Sequence, residues 1–371
     1  MRKNKIYAAL TIAALSATMF VGCGESKEEA TTTTTTSSVE ATEEATTEAT
    51  EATEATEATE EVTTEATEAT EGAEATTEAT EGAEATTEAT EGAAEITETV
   101  YPFTFTELDG TEVVIESEPE KIVSMGPNVT EILYALGAGD KLVGRTDYCT
   151  YPEEVSSVES IGTMYTPDIE KIVSLEPDVV LGSTHFDAEV EANIKEQGIV
   201  TAALYDESEY TGVYDIITKV GQIVNKNAEA AEVVASMKEE VSEVTDILAA
   251  AETKPTVYYV VGYGEYGDYT AGGDTFIGGL IEVAGGENIA KDVSGWSYDL
   301  ESLVAADPEI IVIGTGMKDD FVTQENYKDL TAVKEGKVYE IDNDLLELQG
   351  PRNSEGIKAL AEIIHPELFT E

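Results

Sequence analysis

The stretch Thr166–Gly182, TPDIEKIVSLEPDVVLG, decides the fold, because its pattern returns at Tyr298–Gly314 as YDLESLVAADPEIIVIG. Each copy reads as a short helix carrying an acidic residue, Glu170 or Glu301, then a Pro-Asp or Pro-Glu turn, then a run of β-branched residues. A run that is short, apolar and unbroken suits a strand buried on both faces of a parallel sheet. The repetition predicts a chain of two similar halves. The matched acidic helices imply something that both halves touch.

Strand and helix signals alternate on either side of both copies. Ile122–Met125 reads as a strand running into Gly126-Pro127-Asn128, where Asn128 or Thr130 is expected to cap the helix EILYALGAG. Lys141–Arg145 is a strand followed by the loop TDYCTYP, and Val179–Leu181 leads into Gly182-Ser183-Thr184-His185-Phe186. Loops at the carboxyl ends of parallel strands are where open α/β sheets bind ligands. Tyr210–Val224 looks helical, and Asn227 is expected to cap a longer helix from Ala228 to about Ala251, with Ala231, Val234, Met237, Val241, Val244 and Leu248 in helical spacing. At about 1.5 Å per residue that helix reaches roughly 36 Å, a stiff connector between the halves. After Pro255 the alternation resumes with TVYYVVGYG, a helix Thr275–Ala284, the second copy, a strand Val338–Ile341 and a last helix Ser354–Ile364. Ahead of it all, FTFTELDGTEVVIE predicts a hairpin with a two-residue Asp109-Gly110 turn. The architecture is therefore parallel α/β, divided into a lobe over 100–225, a connecting helix over 226–253 and a second lobe over 254–371.

The N-terminal part is different material. Residues 1–22 carry Arg2, Lys3 and Lys5 ahead of an apolar run and read as a secretory signal. The ending MFVGC resembles a bacterial lipobox, which makes Cys23 the expected lipidation site. Residues 23–99 continue as a Thr/Glu/Ala tract with 23 Glu against one Lys, in which EATTEATEGA at Glu74–Ala83 repeats at Glu84–Ala93. Such a tract buries no core and is expected to be a disordered tether of roughly 50 Å. The formal net charge of −57 argues against nucleic acid as a partner. With Cys23 lipidated, Cys149 has no disulfide partner and is expected to be a small buried thiol.

Enzyme motifs fail on inspection. Gly262-x-Gly264-x-x-Gly267 matches a dinucleotide fingerprint, yet DYTAGGD intervenes where a helix should begin. There is no GxSxG elbow, Walker loop or HExxH, and His185 and His365 are the only histidines, so a histidine-rich metal site is not feasible. Binding residues are easier to nominate. Arg352, in Gly350-Pro351-Arg352, is placed to meet an anionic group or to form a structural salt bridge. Tyr148, Tyr165, Phe186, Tyr263, Tyr266 and Trp296 fall in loops after strands or just before the paired helices, where they are expected to grip a large planar ligand between the lobes.

The ordered series KIVSMGPNVTEILYALGAGDKLVGRTDYCTYP, TPDIEKIVSLEPDVVLG, AGGDTFIGGLIEVAGGENIA, SYDLESLVAADPEIIVIG and the final GPR and HPEL resembles the substrate-binding lipoproteins of ABC importers for cobalamin, ferric siderophores and haem. The likeness spans roughly Glu118–Leu368. It implies two Rossmann-like lobes joined by a single long helix with the ligand cleft between them, no enzymatic activity and no cofactor. It further implies a monomer on the outer face of the bacterial membrane, held by its lipid, with Glu170 and Glu301 docking onto arginines of the permease. Cobalamin is the ligand expected first, since DYCTYP is most similar to cobalamin binders in which aromatics at the positions of Tyr148 and Trp296 pack on the corrinoid. A ferric siderophore would lean on Arg352 and the tyrosines. Haem would use a tyrosine or His185 as axial ligand. A metal-cluster oxidoreductase on the same fold needs more cysteines than Cys149, and a surface adhesin would bind no small molecule.

Overall fold

The computed structural model describes residues 98–184, 186–205, 210–265 and 267–370. The signal, Cys23 and the tether up to residue 97 lie outside them. Two four-stranded parallel sheets carry the described chain. The first contains β3 (Ile122–Ser124), β4 (Leu142–Arg145), β5 (Val179–Gly182) and β6 (Val200–Ala203), in the order β4-β3-β5-β6. A hairpin of β1 (Phe103–Thr106) and β2 (Glu112–Ile115) precedes it. The second contains β7 (Thr256–Val260), β9 (Glu287–Asn288), β11 (Ile310–Gly314) and β12 (Val338–Ile341), in the order β12-β11-β7-β9. In both, the first strand lies between the second and the third, with the fourth outside the third, so the two sheets share one topology. The duplicated stretch supplies the third strand of each.

The helices follow the same duplication. α1 (Pro127–Ala135), α2 (Ile169–Leu175) and α3 (Ala188–Glu196) link the strands of the first sheet. α4 (Gly212–Ile223) and α5 (Asn227–Leu248) lead to the second. There α6 (Phe276–Val283) and α7 (Leu300–Ala306) take the places of α1 and α2, with a small ribbon of β8 (Asp268–Tyr269) and β10 (Ser297–Tyr298) added. α8 (Lys318–Phe321), α9 (Thr331–Glu335), α10 (Asp344–Glu347) and α11 (Asn353–Ile364) complete the chain.

Strand periodicity explains the layering. Val179 and Leu181 of β5 and Ile310 and Val312 of β11 enter one large core with the buried faces of α1, α4, α5, α6 and α11. Their neighbours point the other way. Val180 packs with Ile172 of α2, and Ile311 and Ile313 pack with Leu303 of α7. Every residue of β5 and β11 is buried, as an unbroken β-branched run requires when both faces of a sheet are covered. The connecting helix buries Ala230, Met237, Val241 and Val244 against α4 and α11, so one element holds both lobes.

Several local expectations are corrected. The hairpin turn spans 107–111 rather than two residues, because the Asp109 carboxylate accepts from the Thr111 amide at 2.8 Å and builds a longer turn with Gly110 at φ +89°. Neither Asn128 nor Thr130 caps α1: Pro127 opens the helix and Gly126 is its cap, and the Thr130 hydroxyl donates to Ser124 instead. Asn227 is the first residue of α5 rather than its cap, with its amide donating to Thr99. The strand expected over TVYYVVGYG stops at Val260, and Gly264 and Gly267 take φ of +90° and +105° in the loop beyond. α10 lies between β12 and Arg352.

Candidate functional site

Functional loops cluster at the carboxyl ends of both sheets. After β4, the Asp147 amide donates to the Gly162 carbonyl at 2.9 Å and the Ser160 hydroxyl donates to the Asp147 carboxylate at 2.5 Å, tying the loop at 146–152 to the turn ahead of α2. This brings Tyr148 and Tyr165 edge to face, with ring centroids 6.1 Å apart, inside the range in which aromatic pairs attract. Both stay in water, at 47% and 57% exposed. Two adjacent rings left in solvent while Cys149 beside them is fully buried mark a surface kept for something else.

Trp296 is the second exposed platform, at 44%. Its carbonyl accepts from the Thr270 amide at 2.9 Å, and the preceding Gly295 amide donates to Asp274 at 2.7 Å. Asp274 also accepts from Ser294, and these bonds hold its carboxyl below the usual carboxylate range. The backbone under Trp296 is thus fixed while the ring is free to be covered. Tyr269, 40% exposed on the same ribbon, was not among the sequence candidates. A two-residue strand leaves no periodic signal by which to find it.

Other candidates are committed elsewhere. The Tyr263 hydroxyl donates to Asp320 at 2.9 Å and its ring stands edge-on to Phe321 and Tyr327; burial, then Asp320, pushes its hydroxyl pKa up. Phe186 fills the space a side chain on Gly182 would need. Arg352 donates from Nε and Nη2 to the two carboxylate oxygens of Glu131, at 2.8 and 2.5 Å, and covers the Tyr151 ring at 4.2 Å. Arg145 donates to the Thr146 carbonyl and stands 3.9 Å from Asp147. His185 and Tyr266 lie outside the described residues. Glu131 and Tyr151, which contact Arg352, were not among the sequence candidates.

The two acidic helices are built alike. Asp168 accepts from the Lys171 amide and Asp299 from the Ser302 amide, capping α2 and α7, and both helices exit through a left-handed residue, Glu176 or Asp307. Glu170 and Glu301 are both exposed at the second position of these helices. Each is followed one turn later by an exposed apolar side chain, Val173 at 38% and Val304 at 52%. α2 precedes β5 and α7 precedes β11, so the two acids occupy equivalent positions in their own lobes.

No group of three or more His, Cys, Asp or Glu side chains among the described residues is arranged to hold a metal ion, and none of their helices is long and apolar enough to cross a membrane. An open depression of about 680 Å³ runs along the outer edge of β4, lined by Tyr134, Asp140 and Val158. None of the exposed rings Tyr148, Tyr165 and Trp296 lines it, and neither do Glu170 and Glu301.

Duplicated parallel sheets, one long connecting helix and exposed aromatics at the sheets' carboxyl edges define a two-lobed solute receptor. The chain belongs to the periplasmic binding protein family, whose model matches residues 122–345. It is 37% identical over 282 residues to an ABC transporter substrate-binding lipoprotein, YvrC, of Bacillus subtilis, covering 73% of this chain and 88% of that one. A cobalamin-binding protein of Halobacterium salinarum is 29% identical over 279 residues, covering 71% and 74%. Among solved structures, the periplasmic heme-binding protein RhuT from Roseiflexus sp. RS-1 superposes with a TM-score of 0.62 at 25% identity, covering 67% of this chain and 99% of RhuT. The protein is the extracytoplasmic substrate-binding component of an ABC importer, and its family and neighbours are binding proteins rather than enzymes.

Proposed function

We propose that this protein captures a corrinoid in the cleft and delivers it to its permease through Glu170 and Glu301, while a lipid on Cys23 holds it at the outer membrane face. The observation that carries the ligand is the pairing of exposed rings with occupied arginines. Tyr148, Tyr165 and Trp296 offer apolar faces to a planar macrocycle, whereas Arg352 is already engaged by Glu131 and Arg145 donates to the Thr146 carbonyl with its Nε buried. Asp147, Asp342 and Asp344 add negative charge around those arginines. A cleft of that charge disfavours a ligand bearing several carboxylates and suits one whose periphery is mostly neutral amides. The cobalamin-binding relative supports this choice. Haem is the second reading, favoured by the superposition on RhuT.

Trp296 makes the test direct, because it is the only tryptophan in the chain. A corrinoid packed on its ring is expected to quench intrinsic fluorescence saturably, while haemin at equal concentration leaves the titration unsaturated. Trp296→Ala is expected to weaken cyanocobalamin binding about tenfold, ~1.4 kcal/mol, the order of one lost aromatic face. Saturation by haemin alone would assign the cleft to haem. Replacing Cys23 with Ala is expected to release the chain from membranes; retention there would refute the anchor.

A further inference from the structure

Arg352 stands in the turn ahead of α11, in the C-terminal lobe, yet its strongest partners belong to the N-terminal lobe. Its guanidinium meets both oxygens of Glu131, in the early turns of α1 and 221 residues away in sequence, at 2.8 and 2.5 Å. Its face lies 4.2 Å over Tyr151, in the loop that also carries Tyr148. From its own lobe Asp342 and Asp344 approach to 4.0 Å each. The Glu131 side chain is 4% exposed and that of Arg352 15%. Both the donor edge and the flat face of the guanidinium are therefore used within the protein.

The geometry points to Arg352 as an interlobe latch: with Glu131 and Tyr151 it sets the separation of the two lobes and holds the Tyr148 loop in register, acting on ligand binding by position rather than by contact. The importance of that position rests on the reading that ligand binds between the lobes. A bidentate guanidinium–carboxylate pair fixes distance and orientation together, which a point charge does not. Stacking on Tyr151 adds a third restraint. Burial raises the Glu131 carboxyl, and the Arg352 bonds oppose that shift. The titratable and charged groups facing the pair are Asp342 and Asp344, the latter raised by burial and by Asp342. Loss of Arg352 leaves Glu131 facing Asp342 and Asp344. A cleft braced before ligand arrives has less ordering to do on binding.

The test combines geometry with affinity in the full-length chain in detergent. Spin labels are placed at exposed positions on each lobe through Glu189→Cys and Asn326→Cys. Without ligand, the interlobe distance distribution is expected to be narrow in the parent and broader in Glu131→Gln and in Arg352→Lys. Both substitutions preserve size, and far-ultraviolet circular dichroism checks that each variant folds. Each is expected to weaken cyanocobalamin roughly tenfold, and the double variant no more than the worse single one, as coupled partners do. A direct ligand contact gives a different pattern: Arg352→Lys loses affinity, Glu131→Gln frees the guanidinium and binds as tightly or tighter, and neither changes the distances. That pattern overturns the latch. Should cyanocobalamin fail to bind the parent, the ligand reading fails, and the ligand-free distances still decide the latch.

Discussion

A chain carrying both Glu170→Lys and Glu301→Lys is expected to bind its ligand as tightly as the parent and to support no uptake above background. The expectation rests on position. Both acids are exposed near the amino ends of α2 and α7, each capped by an aspartate, on topologically equivalent elements of two sheets. A lysine there meets the positive end of a short helix and costs about 0.3–1 kcal/mol, too little to unfold a lobe whose outer core includes Ile172 or Leu303. What the reversal does change is the sign of two rim charges, and rim charges govern encounter and register with a partner more than the interior of either protein. Each single reversal is expected to cut uptake to roughly a tenth, since one contact remains. Normal uptake by the double variant would remove the docking assignment while leaving the ligand site untouched.

Gly273→Ala is expected to produce the largest loss of stability. A Cβ at this position would lie 1.9 Å from the Lys291 carbonyl oxygen, and a backbone atom cannot swing aside as a side-chain tip does. The same residue donates its amide to the Ala290 and Val293 carbonyls, at 3.1 and 3.0 Å, so relief of the clash breaks the bonds that hold the segment leading to Trp296. Overpacking of this severity costs about 3 kcal/mol or more, which for a folded part of this size lowers Tm by roughly 6–12 °C. Gly350→Ala is the control, with nothing within 4 Å of the added carbon. Equal Tm values for the two variants in calorimetry would contradict the close approach. Ligand affinity is expected to fall with Tm in Gly273→Ala, because Trp296 rides on the displaced segment.

The glycines around Gly273 carry a constraint of the fold in the residue types themselves. AGGDTFIGG is an unusual string in a helix-forming region, and Gly272, Gly273 and Gly278 each leave less than 3 Å between an added Cβ and backbone. Their spacing thus records a tight crossing of main chains. The duplicated stretch was legible for a similar reason. Strands covered on both faces permit only apolar, β-branched residues, and Val179–Leu181 and Ile310–Ile313 have no other way to satisfy that environment.

Long-range commitments leave no such mark. In sequence Arg352 was open to an anion or to a structural salt bridge, and Glu131 becomes its partner only once two lobes close on each other. Tyr263 looked like a cleft aromatic by its glycine-rich surroundings, but Asp320, Phe321 and Tyr327 claim it from more than fifty residues away. Tyr148 and Tyr165 were nominated separately, and their edge-to-face pairing depends on the Asp147–Gly162 hydrogen bond. Local pattern therefore located the loops, and tertiary partners decided which side chains in them stay exposed.

Calorimetric titration of the purified chain with cyanocobalamin, a ferric siderophore set and haemin bears most directly on what the protein carries. Cyanocobalamin is expected to bind with a Kd of about 1 μM or tighter, equivalent to about −8 kcal/mol or better, with little heat from the iron ligands. Tight binding of an iron chelate or haemin, with none of cyanocobalamin, would contradict a corrinoid cleft.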